Sequence, residues 1–130
     1  MIVARSLPQR FSTLFGDGAH EGLADAIKAD GGAEAGFKPH VLLEAALATC
    51  ITITIRMYAE RKGMSLPGLE TRVKLDQSRA DAPVLRYDVD LGEARITEEQ
   101  RARLLRVAEA CPIHKILKQP LMIERSELVV

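Results

Sequence analysis

The sequence predicts an α+β fold with an antiparallel sheet. Three observations carry this: an N-terminal third in which β-forming runs are punctuated by glycine, one long apolar stretch free of Gly and Pro, and two later segments that alternate apolar and polar residues. At 130 residues, 47% hydrophobic and 28% charged, the chain is expected to fold as a single domain over residues 1–130 with its own core. Lys plus Arg (18) balance Asp plus Glu (18), so the basic excess that phosphate-backbone binding requires is missing and no nucleic-acid partner is expected.

The first 36 residues suggest two or three antiparallel strands, from runs such as 11–15 and 19–26. Asp17-Gly18 falls where a tight hairpin needs positive φ, and Asp30-Gly31-Gly32 marks a second turn. Pro39 suits the first turn of a helix, where its missing N–H costs nothing, and Gly63 is placed as a C-cap, so residues 39–62 are expected to form one helix. Its first four turns are apolar on nearly every face, and its last turns carry Arg56, Arg61 and Lys62 at the negative end of the dipole. Such a helix needs cover on most sides, and a partner subunit is a reasonable source of it.

After Pro67-Gly68 the period becomes two. Thr71, Val73 and Leu75 alternate with charged residues, as do Leu85, Tyr87, Val89 and Leu91, which predicts an antiparallel pair of half-buried strands. Thr97-Glu98-Glu99-Gln100 is a capping box opening an amphipathic helix to about Ala110, with Leu104, Leu105 and Ala108 on one face. Cys111-Pro112 restarts the chain, with Pro112 first in a short helix through Leu117 and Cys111 at its N-cap; residues 121–124 are expected to resume as a strand.

The most apolar run, residues 41–55, is broken by Glu44 and three threonines and falls short of the roughly 20 apolar residues of a bilayer span. With no secretory pattern at the N-terminus either, the expectation is a cytoplasmic protein with no membrane partner. In that reducing compartment Cys50 and Cys111 start as thiols, and pairing between them is chemistry rather than architecture.

Cys50 lies mid-helix, on a face with Leu43, Ala46, Leu47, Ile53, Thr54 and Met57, which predicts that it faces packing. Taken alone, a cysteine there is more often a small core residue than a nucleophile. Cys111 sits where free N–H groups and the helix dipole favour a thiolate, and His114 adds charge on the same side; the competing reading is an ordinary N-cap. A zinc reading would join Cys111 and His114 to Cys50 and His40, but only one chelating pair is present where structural zinc sites show two, so no metal is expected.

Two segments together resemble a known family. Lys38-Pro39-His40-Val41-Leu42-Leu43-Glu44-Ala45-Ala46-Leu47-Ala48-Thr49-Cys50, continuing through Arg56-Met57-Tyr58-Ala59-Glu60-Arg61-Lys62-Gly63, resembles the central helix of the osmotically inducible protein C (OsmC) and organic hydroperoxide resistance (Ohr) family. Cys111-Pro112-Ile113-His114-Lys115 resembles its second cysteine motif, in the branch where Pro, an aliphatic residue and His follow the cysteine. The resemblance implies an intertwined homodimer, antiparallel sheets around long buried helices, and active sites at the dimer interface. It further implies a thiol-dependent peroxidase for small hydrophobic organic hydroperoxides in oxidative stress defence. Cys50 would be peroxidatic and Cys111 resolving, reset by an external dithiol such as dihydrolipoyl groups, with no bound cofactor. The candidate binding residues are His20, His40, Leu47, Met57 and His114.

The chain departs from the family pattern at one point. Peroxidase members usually carry Glu ten residues before the first cysteine, paired with an Arg from the N-terminal sheet; here that position is His40, and no Arg occurs between Arg10 and Arg56. His20 can carry part of that charge. The alternative reading is therefore a small-molecule binding protein on the same scaffold with weak or no peroxidase activity.

Overall fold

Three short strands open the chain in the computed structural model, which describes residues 1–127. Strands β1 (Val3–Ser6), β2 (Thr13–Gly16) and β3 (Glu21–Ala24) form an antiparallel sheet in that order, with Val3 opposite Gly16 and Gly16 opposite Glu21. The β2–β3 turn forms where Asp17-Gly18 predicts it: Gly18 adopts φ +100°, and Asp17 Oδ1 accepts the N–H groups of Ala19 and His20, both at 2.8 Å. The next loop is organised by a carboxylate that sequence reading passed over. Asp25 is buried and accepts from the N–H groups of Ala26 (2.7 Å), Ala33 and Ala35 (both 3.1 Å), replacing the water those groups lose. Gly32 is required there, because a Cβ would run into the Ala26 carbonyl.

The long helix α1 spans Pro39–Arg61, one residue shorter than expected. It closes as the Gly63 signal predicts: Gly63 has φ +67°, its N–H donates to Glu60 O, and Met64 N–H reaches back to Ala59 O at 2.8 Å. Strands β4 (Glu70–Asp76) and β5 (Val84–Asp90) pair as a hairpin; their seven-residue connection is too short for a parallel crossover. Helix α2 (Glu98–Val107) starts at Thr97 with both hydrogen bonds of the predicted capping box, and a 3-10 turn, Ala108–Ala110, carries the chain to α3 (Pro112–Leu117).

Two compact units result. One comprises Met1–Ala45 with Lys74–Arg86, and the other Ala46–Val73 with Tyr87 onward, so α1 and the β4–β5 hairpin contribute to both. In the first, Glu44 accepts the Leu75 N–H at 2.7 Å, fixing the start of α1 to β4. In the second, Thr52 and Thr71 hydroxyls bond at 2.8 Å, and Leu47, Ile51, Ile55 and Ala59 are buried together with Leu66, Leu91, Leu104 and Ala108. Complete burial of Ile51 or Ile55 contributes about 2 kcal/mol each.

Four expectations change. The buried stripe of α1 runs through Leu47, Ile51, Ile55 and Ala59 in steps of four, whereas Leu43, Ala46, Ile53 and Met57, on the Cys50 face, are exposed. A periodic sequence fixes which residues share a face but not which face one chain covers. For the same reason Leu105 is exposed while Leu104 and Ala108 are buried. Residues 121–127 form no strand: Leu121, Met122 and Ile123 are exposed, and a strand requires an edge to pair with. Finally, the apolar part of α1 extends beyond the 41–55 run. Its 18-residue window has mean hydropathy 1.5, which by length and composition alone meets the criterion for a bilayer span, a criterion that the core helices of soluble proteins also meet.

Candidate active site

Cys111 is placed by chain geometry that its own neighbours dictate. Pro112 cannot donate and occupies the first turn of α3, leaving Cys111 as N-cap at φ −54° and ψ 127°, and its Sγ accepts the His114 N–H at 3.4 Å. The residue is fully buried. Cys50, from the fourth turn of α1, is half-buried and lies near enough to Cys111 to raise its pKa. Both are free cysteines. Burial pushes the Cys111 thiol above its ordinary value, and the nearby Cys50 thiol adds to the rise; the N–H groups of His114 and Ile113 pull the other way.

The helix N-terminus therefore does not make Cys111 a ready thiolate, because desolvation outweighs the N–H groups. Its partner, at the boundary with solvent, is the sulfur an external electrophile reaches first. Two adjacent thiols of unequal exposure can divide one redox cycle: the accessible one is attacked and the buried one closes a disulfide.

The remaining candidates separate from this pair to different degrees. Leu47, one turn before Cys50, is 3% exposed and serves the core, whereas Met57, two turns after it, is 54% exposed on the Cys50 face. The His114 backbone, rather than its ring, is what meets Cys111. The ring packs edge-on against Tyr87, with centroids 5.9 Å apart at 88°. Sequence reading placed Tyr87 on the inward face of its strand but had no means of naming His114 as its neighbour. Burial raises the Tyr87 phenol pKa, with the Glu109 charge contributing. His20 lies at the exposed tip of the β2–β3 turn, its ring 3.3 Å from Asp17 Oδ2. His40 is the second residue of α1 and exposed. Among the described residues no group of three or more His, Cys, Asp or Glu side chains is gathered as a metal site would need.

Two open grooves lie elsewhere in the same unit as the cysteines. One of about 420 Å³ is lined by Met64, Ser65, Pro67, Glu93 and Arg95 among others; the second, of about 310 Å³, is lined by Tyr58, Lys62, Met64, Glu99, Gln100 and Arg103. Neither includes a cysteine.

The structure is an antiparallel α+β protein with one free cysteine on its long helix and another at the start of a short proline-started helix. Residues 31–125 match the family model described as OsmC-like protein, and the chain belongs to that family. No curated protein matches the chain. Solved structures share its fold at low identity. An OsmC-like protein from Mycoplasma pneumoniae is 21% identical with a TM-score of 0.71, over 91% of this chain and 86% of that one. An organic hydroperoxide resistance protein OsmC from Legionella pneumophila is 20% identical with a TM-score of 0.61, over 91% and 88%. A protein from Vibrio cholerae O1 biovar eltor, assigned to organic hydroperoxide resistance and carrying captopril in one of its active sites, is 18% identical with a TM-score of 0.67, over 91% and 84%.

Proposed function

We propose that the protein is a thiol-dependent peroxidase that reduces organic hydroperoxides. The observation that carries this reading is the nearness of a half-buried Cys50 to a fully buried Cys111, whose pKa it raises although the two thiols are far apart in sequence. Structural relatives assigned to organic hydroperoxide resistance support it. The Cys50 thiolate attacks the peroxide, the O–O bond breaks, and sulfur keeps one oxygen as a sulfenic acid. The alkoxide leaves and takes a proton to become the alcohol. The Cys111 sulfur then displaces the hydroxyl, the Cys111 proton leaves with it as water, and a disulfide forms. An external dithiol reduces that disulfide, is itself oxidised to a disulfide, and restores both thiols.

Residues 1–130 act as one domain in this reading, and the protein works as a cytoplasmic homodimer. The apolar residues flanking Cys50 on the open face of α1, Ile53 and Met57 among them, supply both the dimer contact and a site suited to a hydrophobic substrate. A binding protein without peroxidase activity is the second reading, favoured by His40 standing where peroxidase members usually carry Glu.

Turnover of cumene or tert-butyl hydroperoxide with a dithiol separates the two. The peroxidase reading predicts loss of turnover in Cys50→Ser. In Cys111→Ser it predicts one attack per site followed by oxidation of Cys50 to the sulfinic acid, seen by mass spectrometry. Intact thiols after excess hydroperoxide would leave the binding protein as the better account.

A further inference from the structure

The smaller of the two open grooves, about 310 Å³, holds neither cysteine, and its lining is rich in hydrogen-bond donors. Arg103 and Lys62 both stand over the Tyr58 ring, with the guanidinium carbon 5.8 Å and the Lys62 Nζ 6.0 Å from its centroid. The Arg103 Nε donates to the Tyr58 hydroxyl at 3.3 Å, which orients the guanidinium and leaves its Nη groups and the phenol proton to donate elsewhere. Glu99, four residues before Arg103 on α2, is the usual helical partner for such a cation. Among the described residues, however, no carboxylate lies within 4 Å of Arg103 or of Lys62, and the neighbouring Glu98 pairs with Arg101 instead. Gln100 adds a further donor. Its Oε1 accepts the Thr97 N–H at 2.8 Å in the capping box, so the NH2 of the same amide is what remains for the groove.

We propose that this groove binds the phosphate group of a small organic molecule. Arg103 offers a planar fork for two phosphate oxygens, Lys62 a point charge, and the Gln100 NH2 and Tyr58 O–H neutral donors for the rest. A phosphate monoester carries about two negative charges at neutral pH and so answers both cations, where a carboxylate answers one. Without an anion the two cations gathered at one ring repel each other, and a bound dianion removes that repulsion. Glu99 is the one acidic residue of this groove and opposes the anion, but it is outnumbered by Lys62 and Arg103. Space for the organic part is present alongside. The larger groove, about 420 Å³, shares Lys62, Met64 and Gln100 with the first and continues past Pro67 to Arg95. The inference goes beyond the peroxidase reading and does not rest on it.

Titration of the full-length protein at constant ionic strength, followed by 15N NMR, tests it with phenyl phosphate, inorganic phosphate and benzoate as probes. Phenyl phosphate is expected to shift the Gln100 side-chain NH2 and the Arg103 Nε–H signals saturably, and to bind about tenfold more tightly than benzoate. Inorganic phosphate is expected to move the same signals with lower affinity, because it leaves the adjoining groove empty. Benzoate binding as tightly as phenyl phosphate overturns the proposal. Inorganic phosphate binding more tightly than phenyl phosphate overturns it too, as do probes that move neither signal.

Variants of exposed side chains locate the site without disturbing the core. Arg103→Gln is expected to weaken phenyl phosphate binding about tenfold. Lys62→Gln should weaken it about threefold, since an exposed, flexible ammonium is screened by solvent. Glu99→Gln removes the opposing charge and should tighten binding about twofold. Arg106→Gln is the control: Arg106 is exposed on the same helix, lines neither groove, and its loss changes the net charge by the same amount as that of Arg103. Its affinity should equal that of wild type. Equal weakening in Arg106→Gln and Arg103→Gln would mean attraction to overall charge rather than a site and overturns the proposal, as does wild-type affinity in Arg103→Gln.

Discussion

At the residue scale the behaviour of Cys111 follows from its being both a cap and a buried thiol. Sequence reading reached the cap, because Pro after Cys, with an N–H three residues on, is a local pattern. It did not reach the burial, nor the meeting with Cys50, which depend on segments far apart in the chain. A thiol whose folded pKa lies above its unfolded one adds stability that is fully present below the unfolded value, near 9, and is lost as pH rises toward the folded value. The stability advantage of wild type over Cys111→Ser, measured by urea denaturation, should therefore narrow as pH rises from 8 through about 10. An advantage that is constant over this range would mean that Cys111 is not held in its protonated form. Asp25 is a comparable case without a local signature: its three backbone donors are set by the loop from Ala26 to Ala35, and a lone Asp before an irregular stretch does not announce them.

Elements were the most legible level, and the ends of helices more so than their faces. The Gly63 close of α1, the capping box at Thr97 and the six residues of α3 all form where short-range rules place them. Thr97→Ala removes the acceptor for the Gln100 N–H and should cost about 1 kcal/mol in urea denaturation, while Thr97→Ser should cost little. Equal loss in both would mean the hydroxyl is not the stabilising group. Faces were misjudged on α1 and α2 because the periodicity of Leu43, Cys50 and Met57, or of Leu104 and Leu105, does not say from which side cover comes. The strand expected at residues 121–124 failed for a related reason, since β-forming residues pair only where an edge is offered.

For the whole molecule, the uncovered face of α1 is the main unresolved cost in a single chain. Ile53 and Met57 are more than half exposed beside Cys50, and covering such side chains contributes about 1 to 2 kcal/mol each. A homodimer that uses this face should sediment as a dimer at micromolar concentration, and Ile53→Asp should shift it toward monomer. A wild-type monomer under those conditions would show that the face has another use. The α+β class was readable from the sequence, whereas the pairing of the thiols is implied only by the resemblance; the structure adds that Cys50 is near enough to raise the Cys111 pKa. That pairing is also the centre of the functional account. One equivalent of cumene hydroperoxide added to the reduced protein without dithiol, followed by non-reducing peptide mapping, tests it most directly. The account predicts a Cys50–Cys111 linked peptide lighter by two hydrogens than its separate halves; recovery of both cysteines as free thiols would contradict it.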